Sequence, residues 1–566
     1  MRCFRMLRAR DILGSGSPLS QALPGWELRE GQLAMAEAIE SALEKENHLF
    51  VEAGTGTGKT LAYLVPAILS GRKVIVSTAT RALQEQIFLS DLPLVAKALG
   101  ARGVEFRASL MKGLANYVCL RRFEEARATG QHATDREFAR VVAWLQSTET
   151  GDRAELADLP EDAVAWREVA SSSETRIGAA CDHFEACFVT RMRREAEDAQ
   201  IVVVNHHLFL ADLALRTGPG GAHASVLPAY DAVVFDEAHQ IEDIATDFFG
   251  VRISSARVDA LLRDAERSLA AVNALEALKT GPVRATLEGT RESARAFFAL
   301  LASGSPAGDA RRVLAEVAPA VRTAHAQLDL RLDALDAITR ARREESMQIV
   351  ARRTAELRDD LRGVIAGARA TDDGELSDVV RWIDVRPRNV SLGASPVDVG
   401  PMLRARLFDR VPTVVCTSAT LATSVHVSDR PLRSGRRSAS FHFAKARLGA
   451  PLETDELVVS SPFDFSARAA LYLPDDLPDP ADPAFDHAAA DRIAELVRMT
   501  GGGAFVLCTS TRAMRSIHAR LRSRVDVPLF VQVPLFVQGE CPKHVLLSRF
   551  RANGHAVLVA TMSFWE

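Results

Sequence analysis

Residues 53–60, Ala-Gly-Thr-Gly-Thr-Gly-Lys-Thr, constrain this chain more than any other stretch. An apolar run, His48–Val51, precedes them and a helical pattern to Leu69 follows, so the glycines join a strand to a helix. Gly54, Gly56 and Gly58, with Thr55 and Thr57 between them, let backbone N–H groups turn inward around phosphate oxygens. The helix start adds the positive end of its dipole. Lys59 is placed to reach the β- and γ-phosphates, and Thr60 to put a hydroxyl on Mg²⁺. The plain alternative is a flexible Gly/Thr turn. The strand–loop–helix context opposes it, as does a lysine here in a chain with only eight among 566 residues. The loop therefore reads as a nucleoside triphosphate site and says nothing yet about the second substrate.

The rest of the composition narrows the class. Apolar residues make up 47% and charged residues 25%, an ordinary folding mixture, and the length suits about three or four domains. The 69 basic and 73 acidic residues nearly cancel, which excludes a bulk-charge nucleic-acid binder but not a local basic groove. No apolar run approaches the roughly 18 residues of a membrane span. Met1–Leu13 lacks the apolar segment of a secretory signal. Seven cysteines are too sparse for a disulfide scaffold, so a reducing, cytoplasmic setting is expected, with no membrane partner.

Along the chain, Leu33–Glu46 has helical spacing. A second strand is expected at Lys73–Ser77 and a helix from Arg81, which makes a βαβ start. Residues 104–200 are charged and mostly helical in pattern. Strand patterns return at Ile201–Val204, Ala232–Phe235 and Thr413–Cys416. Between them, 253–368 has helical period and almost no strand signal, which suits an inserted helical domain or a single coiled-coil arm. A Pro- and Asp-rich loop, Pro474–Phe485, leads to a second α/β unit. Its expected elements are a strand at Ala504–Cys508, a helix at Thr511–Leu521 and a strand at Ala556–Ala560. Inside that unit Val527–Gln532 is copied as Val533–Gln538, a local duplication rather than a repeat architecture.

Val233–His239 reads Val-Val-Phe-Asp-Glu-Ala-His, a buried-type strand ending in two carboxylates. Asp236 can hold Mg²⁺ and Glu237 can orient or deprotonate an attacking water, the division of labour of a phosphate hydrolase. His239 is either functional or an idle residue at a helix start. This Asp-Glu-Ala-His resembles the second motif of superfamily 2 helicases, and Thr417–Thr420 (Thr-Ser-Ala-Thr) resembles their third, which links the γ-phosphate to the DNA path. Gln32, in Glu30-Gly31-Gln32, is placed like their adenine-reading glutamine. Thr78–Gln86 looks like their first DNA-contacting motif. Asn205-His206-His207-Leu208 and Thr561–Glu566 resemble the DinG and YoaA branch of the XPD-like helicases.

The resemblance covers about Leu28 to Glu566. It implies an α/β chain of two RecA-like P-loop motor lobes, the second incomplete. An iron–sulfur-type domain and a helical arch would be inserted in the first lobe. The implied boundaries are 1–103, 201–250 and 396–424 for the first lobe, 104–200 for the iron–sulfur-type insertion, 251–395 for the arch and 425–566 for the second lobe. The implied activity is ATP- and Mg²⁺-dependent 5′-to-3′ unwinding in repair or replication, acting on single-stranded DNA or a 5′-tailed duplex. Thr78, Gln84, Ser418 and Thr420 would form the DNA coupling set. No protein partner is indicated.

The family's cluster domain holds a [4Fe–4S] centre on four cysteines. Cys119, Cys181 and Cys187 match three of them, and the remaining position holds Arg176, which cannot ligate iron. Three readings stay open: a cluster completed by Asp182, His183 or water; a domain that folds without one; or a three-cysteine zinc site with His183. Low or labile iron is expected. After Arg512 no Gln-x-x-Gly-Arg-x-x-Arg motif occurs, the pattern whose arginine reaches the γ-phosphate. By analogy with arginine fingers worth roughly 10³–10⁵ in rate, the chain is expected to bind ATP but hydrolyse it slowly. The competing function is thus a truncated remnant that binds nucleotide and single-stranded DNA with little turnover. A small-metabolite kinase would share the phosphate loop, but the motifs at Asp236 and Ser418 serve water and DNA instead.

Overall fold

The computed structural model describes residues 7–564 except 24, 129–134, 157–158, 161–162, 173–175, 217–224, 272–280, 304–310, 368, 371–375, 378, 387–388, 426–437, 526–534 and 539–542. Two compact units emerge: Met1–Leu114 with Ser172–Pro462, and Ala115–Ser171 with Phe463–Glu566.

The first unit is built on a seven-stranded, wholly parallel sheet. Its strands are β1 (Leu49–Ala53), β2 (Val74–Thr78), β3 (Ala108–Leu110), β4 (Ile201–Asn205), β5 (Ala232–Asp236), β6 (Thr413–Ser418) and β7 (Asp455–Val459). Their spatial order is β7-β1-β6-β5-β2-β4-β3. A parallel sheet is covered on both faces, which is why β2, β5 and β6 are buried at every position. Helix α1 (Glu30–Lys45) lays Met35, Ala36, Ile39, Ala42 and Leu43 against the sheet, the stripe its spacing predicts. Helix α2 (Lys59–Leu69) is apolar nearly all round and buries Ala62–Ile68.

The strand β7 revises one boundary. The second lobe was expected to begin at 425, yet Asp455–Val459 pairs with β1 at the edge of this sheet. An edge strand half open to water has little apolar signal; Asp455, Glu456 and Val458 are exposed. The short strand β3 escaped notice for the same reason.

The expected helical insertion is a domain with a shared core, not a single arm. Helices Ser255–Ala271, Pro282–Ala302, Pro319–Arg340 and Glu345–Ala366 pack together. Leu328, Leu332 and Leu335 meet Phe297, Leu357 and Leu361 inside it. Beside them lies an antiparallel sheet in the order Val251–Ser254, Asn389–Pro396, Val379–Arg386, Arg311–Val313. Its strands fall mostly outside the helical-period region, so periodicity within 253–368 did not reveal them.

In the second unit, the strands Ala504–Cys508, Val557–Thr561 and Leu535–Val537 form a parallel sheet. The helices Phe485–Thr500 and Thr511–Val525 pack on it around Ala490, Leu521 and Val557. Of the duplicated hexapeptide only Leu535–Gln538 lies among the described residues. Ala115–Ser171 contributes the α-helices Leu120–Ala128, Arg136–Leu145 and Val164–Val169, with Phe123 stacked on Phe138 at 5.7 Å. Among the described residues no helix is long and apolar enough to cross a membrane.

Candidate active site

The site forms where β1, β5 and β6 end on the same edge of the sheet, the usual ligand position of an open parallel sheet. Gly56 and Gly58 have φ of 83° and 82°, a left-handed backbone that glycine adopts without strain. The loop is internally tied: Thr57 Oγ1 donates to the Gly54 carbonyl at 2.6 Å. It is also braced from outside. Ser461 Oγ donates to the Thr55 carbonyl at 2.8 Å, and Gln32 Nε2 to the Gly58 carbonyl at 2.9 Å. Arg29 donates to the Gly56 carbonyl. Gln32, expected to read adenine, is buried and holds the loop. A Cβ on Gly58 would lie 2.2 Å from that amide, so glycine is required there twice over.

Lys59 Nζ stands 2.9 Å from Glu237 Oε1. Asp236, at the end of β5, is buried; its Oδ2 accepts from Tyr63 Oη at 3.2 Å and its Oδ1 from the Glu237 N–H at 3.1 Å. Burial, and to a lesser degree the Glu237 charge, pushes the Asp236 carboxyl up to about 6 against the pull of Lys59. A buried carboxylate short of positive charge beside a phosphate loop, with the Thr60 hydroxyl at the start of α2, is the hard oxygen donor set Mg²⁺ takes. Tyr63 is a residue the sequence reading missed; a fully buried tyrosine in an apolar helix was the available signal.

Glu237 has φ 56°, a left-handed conformation for a side-chain-bearing residue that costs about 1–3 kcal/mol. The turn aims its carboxylate back at Lys59 and at Ser418. Ser418 Oγ donates to Glu237 Oε2 at 3.4 Å and pairs with His239 Nδ1 at 2.8 Å. The Thr420 N–H donates to Ser418 Oγ at 3.3 Å. Lys59, Glu237, His239, Ser418 and Thr420 are therefore one connected network, from loop to third motif.

Thr78 and Gln84 differ from expectation. Both are fully buried, so neither meets a DNA strand in this conformation. Thr78 ends a central strand, and Gln84 turns inward to donate to the Met111 carbonyl at 3.1 Å. Arg81 and Gln86 are the exposed polar groups of that segment.

The Asn205–Leu208 motif places His206 under the site. Its Nδ1 is 2.8 Å from Ser77 Oγ, its ring packs on Phe235, and burial lowers it from its ordinary 6.5 to about 3. The folded chain thus stays unprotonated where the unfolded chain takes up a proton. Stability from this group is complete above about pH 6.5 and lost as pH falls toward 3, at up to about 1.4 kcal/mol per pH unit. Thermal melts between pH 7 and 5 should fall steeply for the native chain and less steeply for His206→Gln; parallel slopes would refute this.

Cys119 belongs to the second unit, Cys181 and Cys187 to the first. Cys187 precedes the helix Phe188–Asp198, and Arg176 Nη2 donates to Thr190 Oγ1 in its first turn at 3.2 Å. An arginine in the fourth position does not fit a four-thiolate cluster.

The DEAD/DEAH box helicase family profile matches residues 33–106, and the helicase C-terminal domain profile matches 493–566. The chain is 32% identical over 561 residues to the ATP-dependent DNA helicase YoaA of Escherichia coli K12, covering 98% of this chain and 82% of that protein. The YoaA of Haemophilus influenzae is 31% identical with the same coverage. The ATP-dependent helicase DinG of Mycobacterium tuberculosis H37Rv is 30% identical over 97% of this chain and 80% of its own length.

Proposed function

Since the chain belongs to the DinG/YoaA family of ATP-dependent DNA helicases, we propose that it travels 5′ to 3′ on single-stranded DNA and opens 5′-tailed duplexes in cytoplasmic repair or replication. The observation that carries the reading is the continuous contact from Lys59 through Glu237 to Ser418 and His239. It lets the state of the γ-phosphate reach the third motif.

Lys59 is held by Glu237. An arriving γ-phosphate competes for the ammonium, and the carboxylate is released to orient a water and take its proton as the β–γ bond breaks. Thr60 and Asp236 would hold Mg²⁺, which when bound neutralises charge on the phosphate oxygens. Glu237 turning away from Lys59 also redirects its Ser418 contact, which gives the coupling. Binding to the strand would be largely sequence-independent, through phosphate contacts and base stacking.

The experiment is strand displacement on duplexes with either a 5′ or a 3′ single-stranded tail. Opening of the 5′-tailed duplex alone, dependent on ATP and Mg²⁺, is the expected result; opening from the 3′ tail would overturn the polarity. Phosphate release with and without DNA is the companion measurement, since a DNA motor shows stimulation by the strand it travels on.

We further infer that these 566 residues hold little iron. Arg176, a permanent cation, occupies the position of a thiolate and is engaged with Thr190. Iron and acid-labile sulfide should both lie well below the four per chain of a full cluster. Arg176→Cys is expected to raise both toward that level, and four irons in the native chain would defeat the inference.

A further inference from the structure

Glu52 is the last residue but one of β1, two positions ahead of Gly54. It is the one charge in Leu-Phe-Val-Glu-Ala, a strand otherwise buried at every position. Its Cα lies opposite Ser418 on β6. The Glu52 side chain is itself half-buried. Its Oε2 accepts two backbone hydrogen bonds at 2.7 Å each, from the N–H groups of Leu421 and Ala422. Those amides begin the chain immediately after Thr420, where β6 has ended and no strand partner takes them. Bonds from N–H to a charged carboxylate are about twice as strong as neutral ones.

The turn at 419–422 thus has two handles. One is the Ser418 hydroxyl, which answers to Glu237 and His239. The other is Glu52, on the strand whose end is the phosphate loop. On its far side that strand end is tied to β7, through the Gly54 N–H donating to the Val459 carbonyl at 3.0 Å. Any shift of the loop on taking up triphosphate is passed along β1 to the turn that bears the exposed Thr420.

We propose that Glu52 is a positioning residue that couples nucleotide occupancy of the phosphate loop to DNA affinity, by clamping the backbone of Leu421 and Ala422. The proposal rests on the helicase reading above. It differs from the Glu237–Ser418 path in using the loop's own strand rather than the γ-phosphate.

The test measures binding of a fluorescent oligothymidylate to the full chain, without nucleotide and with Mg²⁺ and a non-hydrolysable ATP analogue. The native chain should show at least about a fivefold ratio between the two affinities, at the low end of ordinary coupling between sites. In Glu52→Ala the ratio should collapse to about one. Each ligand alone should bind within about twofold of native, and the melting temperature with nucleotide absent should allow a folded protein. Glu52→Gln, which keeps the shape and a neutral acceptor, should give an intermediate ratio and carries the test where the alanine variant does not fold. A native ratio retained in both variants overturns the proposal. So does loss of nucleotide affinity by itself in Glu52→Gln, because the residue would then merely support the loop. A native chain that binds both ligands independently also overturns it, while one that binds neither defeats the helicase reading first.

Discussion

Replacing Lys59 by alanine should lower DNA-stimulated ATP hydrolysis by roughly 10³-fold or more and weaken binding of the Mg²⁺–ATP complex. Removing a single preorganised donor from a transition state costs roughly 10²–10³, and here the loss is compounded. Lys59 is also the nearest positive charge to Glu237, at 2.9 Å, and it opposes the burial that raises Asp236. Without it two carboxylates face each other unneutralised, and Asp236 is driven further toward its protonated, metal-indifferent form. Equilibrium titration with a fluorescent ATP analogue, read beside phosphate release, checks both parts. Unaltered affinity together with unaltered turnover would remove the phosphate loop from the mechanism. Because Lys59 lies at the start of α2 with its stem partly buried, the fold should survive the substitution.

Glu237→Gln should separate binding from chemistry. The amide oxygen can still accept from Lys59 while the amide nitrogen donates to the Ser418 hydroxyl oxygen, so the network keeps its shape. It can no longer take a proton from water, and loss of a general base costs roughly 10²–10⁴ in turnover. Removing the Glu237 charge also removes one of the influences that raise Asp236. Nucleotide affinity should therefore hold or tighten while hydrolysis stops, and DNA binding should persist. Retention of native turnover would show that another group activates the water. The two variants thus move Asp236 in opposite directions, so the dependence of nucleotide binding on Mg²⁺ concentration should shift to higher values in Lys59→Ala and not in Glu237→Gln.

Much of the site was legible because its chemistry is written in consecutive residues. The run from Ala53 to Thr60 and the run from Val233 to His239 each carry their own strand, turn and functional groups. Their strand–loop–helix context could be read from periodicity alone. The strands β2, β5 and β6 were visible for a related reason: a parallel sheet covered on both faces needs uninterrupted apolar runs. Where burial is one-sided or the element is short, the signal faded. Asp455–Val459 opens with two charged residues and lies largely exposed at a sheet edge, and the boundary of the first unit was consequently placed too early.

Thr78 and Gln84 illustrate the opposite difficulty. A motif resemblance marked them as contacts to DNA, but a threonine at the end of a central strand and a glutamine on the inner face of its helix are buried by the packing around them. Resemblance transfers a position in a motif, whereas exposure depends on which side of the element faces the core.

By itself the sequence determined that the chain binds a nucleoside triphosphate on a parallel α/β scaffold, because phosphate recognition uses backbone N–H groups and a helix start that adjacent residues supply. The tertiary structure decided which distant residues complete that site. Tyr63 on Asp236, Gln32 on the loop, Ser418 on Glu237 and His239, and Glu52 on the turn after Thr420 are joined by one or two hydrogen bonds between groups far apart in the chain. Parallel strands bring such residues to one edge only when the order β7-β1-β6-β5-β2 is set. That order follows from crossover connections and packing, which no local pattern records.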